Sequence, residues 1–227
     1  MNSSRKDVLT LMDQNRYSEA LQLLTTLIKN DPMDWGLYYM AGQCCRFMNE
    51  IRRAIELLAK ANSLKPNIPE VLLSLGIAFQ LEEKFDESIS ILKKVIALAP
   101  NFYSAYNSIG LTYKKISKYR EAIEWYSKAT DGLLDAARQI ALKDEEKCYR
   151  YEQENGEKIC YVMPFLFTRT HELLKSDPIY AIIKNNIGVC LIELGDFGAA
   201  REQFEESIEF IPEGYNYLDP YINLENM

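Results

Sequence analysis

The chain has 227 residues, a net charge of −7, one histidine and five cysteines. The acidic balance argues against a general nucleic-acid binder, which needs basic surface. No run of apolar residues is long enough to form a membrane-spanning helix, and a single histidine cannot supply a two-histidine metal motif. The N-terminal Met1-Asn2-Ser3-Ser4-Arg5-Lys6 lacks the apolar core of a signal peptide. The cysteines are odd in number and show no CxxC spacing, which favours buried, reduced thiols and a cytoplasmic location over disulfides or zinc.

Gly42, Gly76 and Gly110 stand 34 residues apart, as do Pro32, Pro66 and Pro100. A fixed period of this length marks stacked supersecondary units. Residues 1–34 match such a unit from its second helix onward, through Tyr17, Ala20, Leu24, Leu27 and Pro32. Asp7-Val8 stands where a large-small pair is expected, so this first unit reads as a shortened cap. Residues 35–68, 69–102 and 103–136 are full units. They share Tyr38-Ala41-Gly42-Cys45, Leu72-Leu75-Gly76-Phe79 and Tyr106-Ile109-Gly110-Tyr113. A small residue follows each glycine at a constant offset (Ala54, Ser88, Ala122), and then come Leu58/Ala61, Leu92/Val95 and Tyr126/Ala129.

Apolar residues recur at helical intervals in two runs per unit, broken near Asn49-Glu50 in the second. Each unit is therefore two short antiparallel helices, with the glycine and the later small residue placed where the helices cross. The terminal proline cannot continue the second helix.

These residues resemble the tetratricopeptide repeat family. A further unit with the same signature lies at 181–214, carrying Ile187, Gly188, Leu191, Ala200, Phe204, Ser207 and Pro212. Gly188 is out of phase with Gly110, so residues 137–180 are an insertion and 215–227 a tail. The resemblance implies an all-α fold, a right-handed α-solenoid of helix-turn-helix repeats in one domain.

At the end of the fourth unit Leu134 replaces the terminal proline, so its second helix runs on into the insertion, to about Lys143. Asn155-Gly156 sits between Cys148-Tyr149-Arg150-Tyr151 and Ile159-Cys160-Tyr161-Val162, a strong hairpin signal. A two-residue turn pairs Tyr151 with Cys160 and Tyr149 with Val162; a helix-loop-helix bent at Asn155-Gly156 is the alternative. Pro164 then starts a helix to Lys175, and Pro178 opens the first helix of the last unit.

The sequence shows no catalytic constellation, metal motif or cofactor loop. His171 reads as a surface or packing residue, and no phosphate-binding loop is present. Glu82-Glu83 and Glu205-Glu206 read as solvated helix surface. The expected function is non-catalytic binding of a protein or peptide.

In the resembling family, first helices line a concave groove that holds a peptide or partner helix. Carried onto this chain, the groove contacts are Tyr39, Met40, Gln43, Phe47, Leu73, Ser74, Ile77, Asn107, Ser108, Leu111, Lys114, Asn185 and Asn186, with Arg46 and Gln80 also on that face. The lysine and asparagine pattern of the family's carboxylate clamp is not reproduced. Tyr39, Met40, Phe47, Leu73, Ile77 and Leu111 instead give an apolar strip, of a kind that marks interaction sites.

The strip's occupant is open: an external segment, or the chain's own insertion through a hairpin face or Phe165-Leu166-Phe167. A regulatory or tethering subunit of an enzyme complex is a further alternative. The Tyr-rich tail shows no cap helix, so either it or a second subunit in a homodimer covers the end of the last repeat.

Overall fold

The structure, a computed structural model, describes residues 2–143, 149–154, 157–162 and 164–227. The chain divides into two compact units, Met1–Thr112 and Tyr113–Met227.

The first unit is built from helix pairs. They are α1 (Asn2–Asp13) with α2 (Tyr17–Asn30), α3 (Trp35–Phe47) with α4 (Ile51–Leu64), and α5 (Pro69–Leu81) with α6 (Phe85–Leu98). Helix α7 (Tyr103–Lys115) follows, and the unit boundary falls within it. Each helix packs on its partner, and α2 on α3 and α4 on α5 join neighbouring pairs. The first helix, expected to be weak, spans 12 residues against 13 in α3, and Val8 is fully buried at the position glycine holds elsewhere.

The crossings explain the glycine period. A Cβ on Gly42 would stand 2.7 Å from Leu58 Cγ, and one on Gly76 would stand 2.8 Å from Leu92 Cγ. Beneath them Ala54 and Ser88 are fully buried. Around these contacts lies a core of Val8, Leu24, Leu37, Ala41, Cys44, Cys45 and Ala54, followed by Leu58, Leu75 and Ala78 with Tyr39 and Phe79 against them.

A second periodic device closes each helix pair. Asn15, Asn49, Glu83 and Ser117 all have φ between 58° and 62°, and Gly195 has φ 81°. After each, the next amide reaches back: Arg16 N to Leu11 O, Glu50 N to Cys45 O, Lys84 N to Phe79 O, Lys118 N to Tyr113 O and Asp196 N to Leu191 O, all at 2.8–2.9 Å. This is a Schellman ending that satisfies the last carbonyls of the first helix. Glu83 and Ser117 adopt a left-handed conformation that costs a non-glycine residue about 1–2 kcal/mol.

The second unit begins with the end of α7 and continues through α8 (Tyr119–Leu142), strands β1 (Tyr149–Glu154) and β2 (Glu157–Val162), α9 (Pro164–Lys175), α10 (Ile179–Glu193), α11 (Phe197–Glu209) and α12 (Asp219–Glu225). With no proline to stop it, α8 extends to 24 residues and packs on α9 and α10. The strands are antiparallel, with Tyr149 opposite Val162 and Tyr151 opposite Cys160. The Asn155-Gly156 turn and the face on which these strands' side chains lie are outside the described residues.

Helices α10 and α11 repeat the crossing. A Cβ on Gly188 would meet the Phe204 ring at several atoms, Cδ1 at 2.7 Å and Cζ at 2.8 Å among them. A tail without a cap helix was the expectation. The structure instead gives α12, which packs on α11 and α10 with Pro220 buried, so the chain covers this end itself.

Gly188→Ala is expected to cost about 1–3 kcal/mol through overpacking. Gly76→Ala should cost less, because the Leu92 side chain can rotate away and the Phe204 ring cannot. Urea denaturation of the two variants measures the order.

Candidate interaction surface

The residues marked as groove contacts fall on the first helices, with surroundings that differ between units. In the first unit the apolar strip is half sunk. Tyr39 packs against the Leu58, Leu75 and Ala78 core, and Met40 packs against the cluster around Leu24 and Cys44. Leu73, Ile77 and Leu111 are half-buried, and Phe47 keeps 52% exposure.

Phe47 stacks on Tyr17 with centroids 4.7 Å apart and planes 12° apart. The Arg46 guanidinium lies 4.2 Å from the Phe47 ring centroid. Arg46 Nε donates to Gln43 Oε1 at 3.0 Å, and Gln43 Nε2 donates to Tyr39 Oη at 3.1 Å. Burial lowers the Arg46 pKa, while the phenols of Tyr39 and Tyr17 oppose that shift. The sequence singled out Tyr39, Gln43 and Phe47 separately; the structure makes them one aromatic and amide platform.

Ser74 and Ser108, expected to face a partner, are buried. Each hydroxyl donates to the carbonyl four residues back, Ser74 to Glu70 O at 2.9 Å and Ser108 to Ser104 O at 2.8 Å. Asn107 is only 8% exposed, and its Oδ1 has no hydrogen-bond partner among the described residues.

Gln80, placed on the same face by its repeat position, is 5% exposed. Its Nε2 donates to Thr112 Oγ1 at 2.8 Å and to Ser108 O at 3.2 Å. Thr112 Oγ1 donates in turn to Ser108 O at 2.9 Å. This clasp ties α5 to α7. A polar residue at the same place in consecutive first helices was its only signal in the sequence, and that signal equally suits an open groove.

In the second unit Lys114 Nζ donates to Asn186 Oδ1 at 2.9 Å. Burial lowers the Lys114 pKa, against the opposing fields of Cys190 and Asp219. Asn185 Oδ1 accepts from Asn223 Nδ2 at 2.8 Å, which brings the tail onto α10.

Glu82 and Glu206, read from sequence as plain helix surface, both hold neighbours. Glu82 bridges Arg52 at 2.8 Å. Glu206 accepts from Tyr180 Oη at 2.7 Å and bridges Lys184 at 2.8 Å. Burial, with help from that bond, pushes the Tyr180 phenol up strongly.

Phe167 is 70% exposed, and Leu166 lines a depression with Leu134, Leu174 and Phe210. The Phe165 side chain lies outside the described residues. His171 is half-buried, with Nε2 3.2 Å from Glu209 Oε1 and its ring 4.5 Å from that of Phe210. Among the described residues no group of three His, Cys, Asp or Glu side chains is placed to hold a metal ion. Cys44, Cys45 and Cys190 are free and buried, their thiols pushed up to about 11 chiefly by burial. No helix among the described residues is long and apolar enough to cross a membrane.

Models of the tetratricopeptide repeat match residues 11–75, 69–102, 103–131 and 181–213. The chain belongs to the tetratricopeptide repeat family. The match omits residues 132–180, so it supports the helical repeats and says nothing for the two strands. No curated protein matches the chain in sequence.

Among solved structures, a thermophilic tetratricopeptide-repeat protein of Thermus thermophilus is similar at 14% identity and a TM-score of 0.64. The match covers 99% of this chain and 97% of that one. MamA of Desulfovibrio magneticus is similar at 18% identity and a TM-score of 0.62, over 92% of this chain and 93% of that one. At such identities the likeness shows a tetratricopeptide-repeat fold.

Gln80→Ala removes the clasp donor from between α5 and α7. It is expected to lower stability by about 1 kcal/mol, the net worth of a neutral hydrogen bond, since Ser108 O keeps its bond from Thr112 Oγ1. Guanidinium denaturation against the unmodified protein checks this.

Proposed function

We propose that the chain is a non-catalytic scaffold that binds a protein or peptide along the first-helix face of its repeats. In this reading the repeats form a right-handed solenoid, the face is concave, and the 149–162 hairpin is an appendage to it. One observation carries the reading: Tyr39 and Leu73, and Ile77 and Leu111, stand at the repeat period on successive first helices, each half-buried, with Met40 half-buried beside Tyr39. On the same helices Leu37, Val71 and Ala105 are sealed, so the strip is the more open apolar face. A strip left half open offers apolar anchors to a partner, with the Arg46–Phe47 platform beside it.

The partner suited to this strip is an amphipathic helix or an extended segment with apolar anchors. Tyr39, Met40, Leu73, Ile77 and Leu111 supply its apolar contacts, and Gln43 and Arg46 its polar ones. The buried free thiols fit a reducing, cytoplasmic setting.

The test compares affinity capture from the native cell by the unmodified chain and by a Leu73→Asp, Ile77→Asp double variant. The proteins retained by the unmodified chain should be lost from the variant, while far-UV circular dichroism shows unchanged helix content. Undiminished capture by the folded variant would refute the assignment of the face.

A further inference from the structure

The tail meets the residues that the sequence marks as partner contacts in the last repeat. Asn223 Nδ2 donates to Asn185 Oδ1 at 2.8 Å. The phenol of Tyr217 is half-buried and faces Asp219 and Asn185. Asp219 is also among the charges facing the Lys114 ammonium, which is held by Asn186 Oδ1 at 2.9 Å.

The segment is lightly anchored. Helix α12 has seven residues, well below the length at which a helix supports itself. The chain enters it after Gly214, at φ 78°. Pro220 is sealed, but Tyr215, Leu218, Tyr221 and Ile222 are all more than two fifths exposed. Among the described residues, the side-chain hydrogen bond of α12 to α10 is the single Asn223–Asn185 pair. Elements with few buried apolar contacts sit at the low end of local stability.

We propose that residues 215–226 are an exchangeable occupant of the first-helix face of the last repeat. The ligand this face takes is a segment of the same chemistry: an aromatic residue, an acid followed by proline, and one helical turn ending in a carboxamide. The inference rests on the reading of first-helix faces as binding surfaces. While the tail is seated, an external segment must compete with an occupant tethered at a local concentration of about millimolar. When the tail lifts, the Asn185 carboxamide loses its bond to Asn223 and becomes free to bind the incoming segment, and the Lys114 ammonium loses the Asp219 charge that faces it.

The probe is a fluorescein-labelled synthetic peptide of this chain's own residues 213–227. It is titrated by anisotropy into the unmodified full chain and into a full-chain variant with Pro220→Gly and Asn223→Ala, which loosens the tail. The loosened variant should bind at least about tenfold tighter, and adding Asn185→Ala or Lys114→Met should remove that gain. Equal affinity for both chains, or a gain indifferent to Asn185 and Lys114, would overturn the proposal.

Hydrogen exchange on the unmodified protein gives a reading that needs no variant. Amides of 219–226 should exchange at least about tenfold faster than those of α10 and α11, and equal protection would overturn the exchange. If the peptide fails while the Leu73→Asp, Ile77→Asp variant still loses its captured partners, only the tail's role falls.

Discussion

The fold depends on the close crossing of the two helices of a repeat, where in three repeats a residue without a side chain lies under a bulky one. Gly42 under Leu58, Gly76 under Leu92 and Gly188 under Phe204 leave no room for even a methyl group without displacement. Interiors are close-packed and resist such insertions. The short approach lets Ala54, Ser88 and Ala200 lie fully buried against the first helix, so each pair is a compact slab with two faces still to cover. Stacking neighbours covers them, which is why the pattern must repeat.

The slabs are keyed together by polar contacts as well as by apolar packing. The Gln80 amide enters α7, Arg52 pairs with Glu82, Lys114 holds Asn186, and Asn223 holds Asn185. Gln80, Lys114, Asn185 and Asn186 are among the residues that the repeat pattern alone would give to a partner. Part of the chemistry that a linear reading assigns to a ligand is thus spent on holding neighbouring helices, or the tail, in place. What remains open is narrower: the half-buried apolar strip of α3, α5 and α7, and the Arg46–Phe47–Tyr17 platform.

The repeat signature was legible because it records steric necessity. Gly, a small residue and a bulky one at fixed spacing have one economical meaning, and the lack of proline at 134 correctly foretold the long α8. Other features escaped because their residue types are ambiguous. Glu83 and Ser117 give no hint of left-handed backbone; only Asn15, Asn49 and Gly195 at the matching positions do. Gln80, Ser74 and Ser108 are polar whether they face solvent, a ligand or the next helix. The tail hid its cap because seven residues opened by Asp219-Pro220 carry too little periodicity to read as a helix. Whether an asparagine on a first helix meets a partner or its own chain depends on tertiary placement, which no local pattern encodes.

If the pairs are separate slabs coupled only to their neighbours, a disturbance at one crossing must stay local. Hydrogen exchange followed segment by segment in Gly188→Ala tests this most directly. Protection should fall together in α10, α11 and α12, while α1 through α6 exchange as in the unmodified protein. A uniform loss of protection from α1 to α12 would show a single cooperative core and contradict the account.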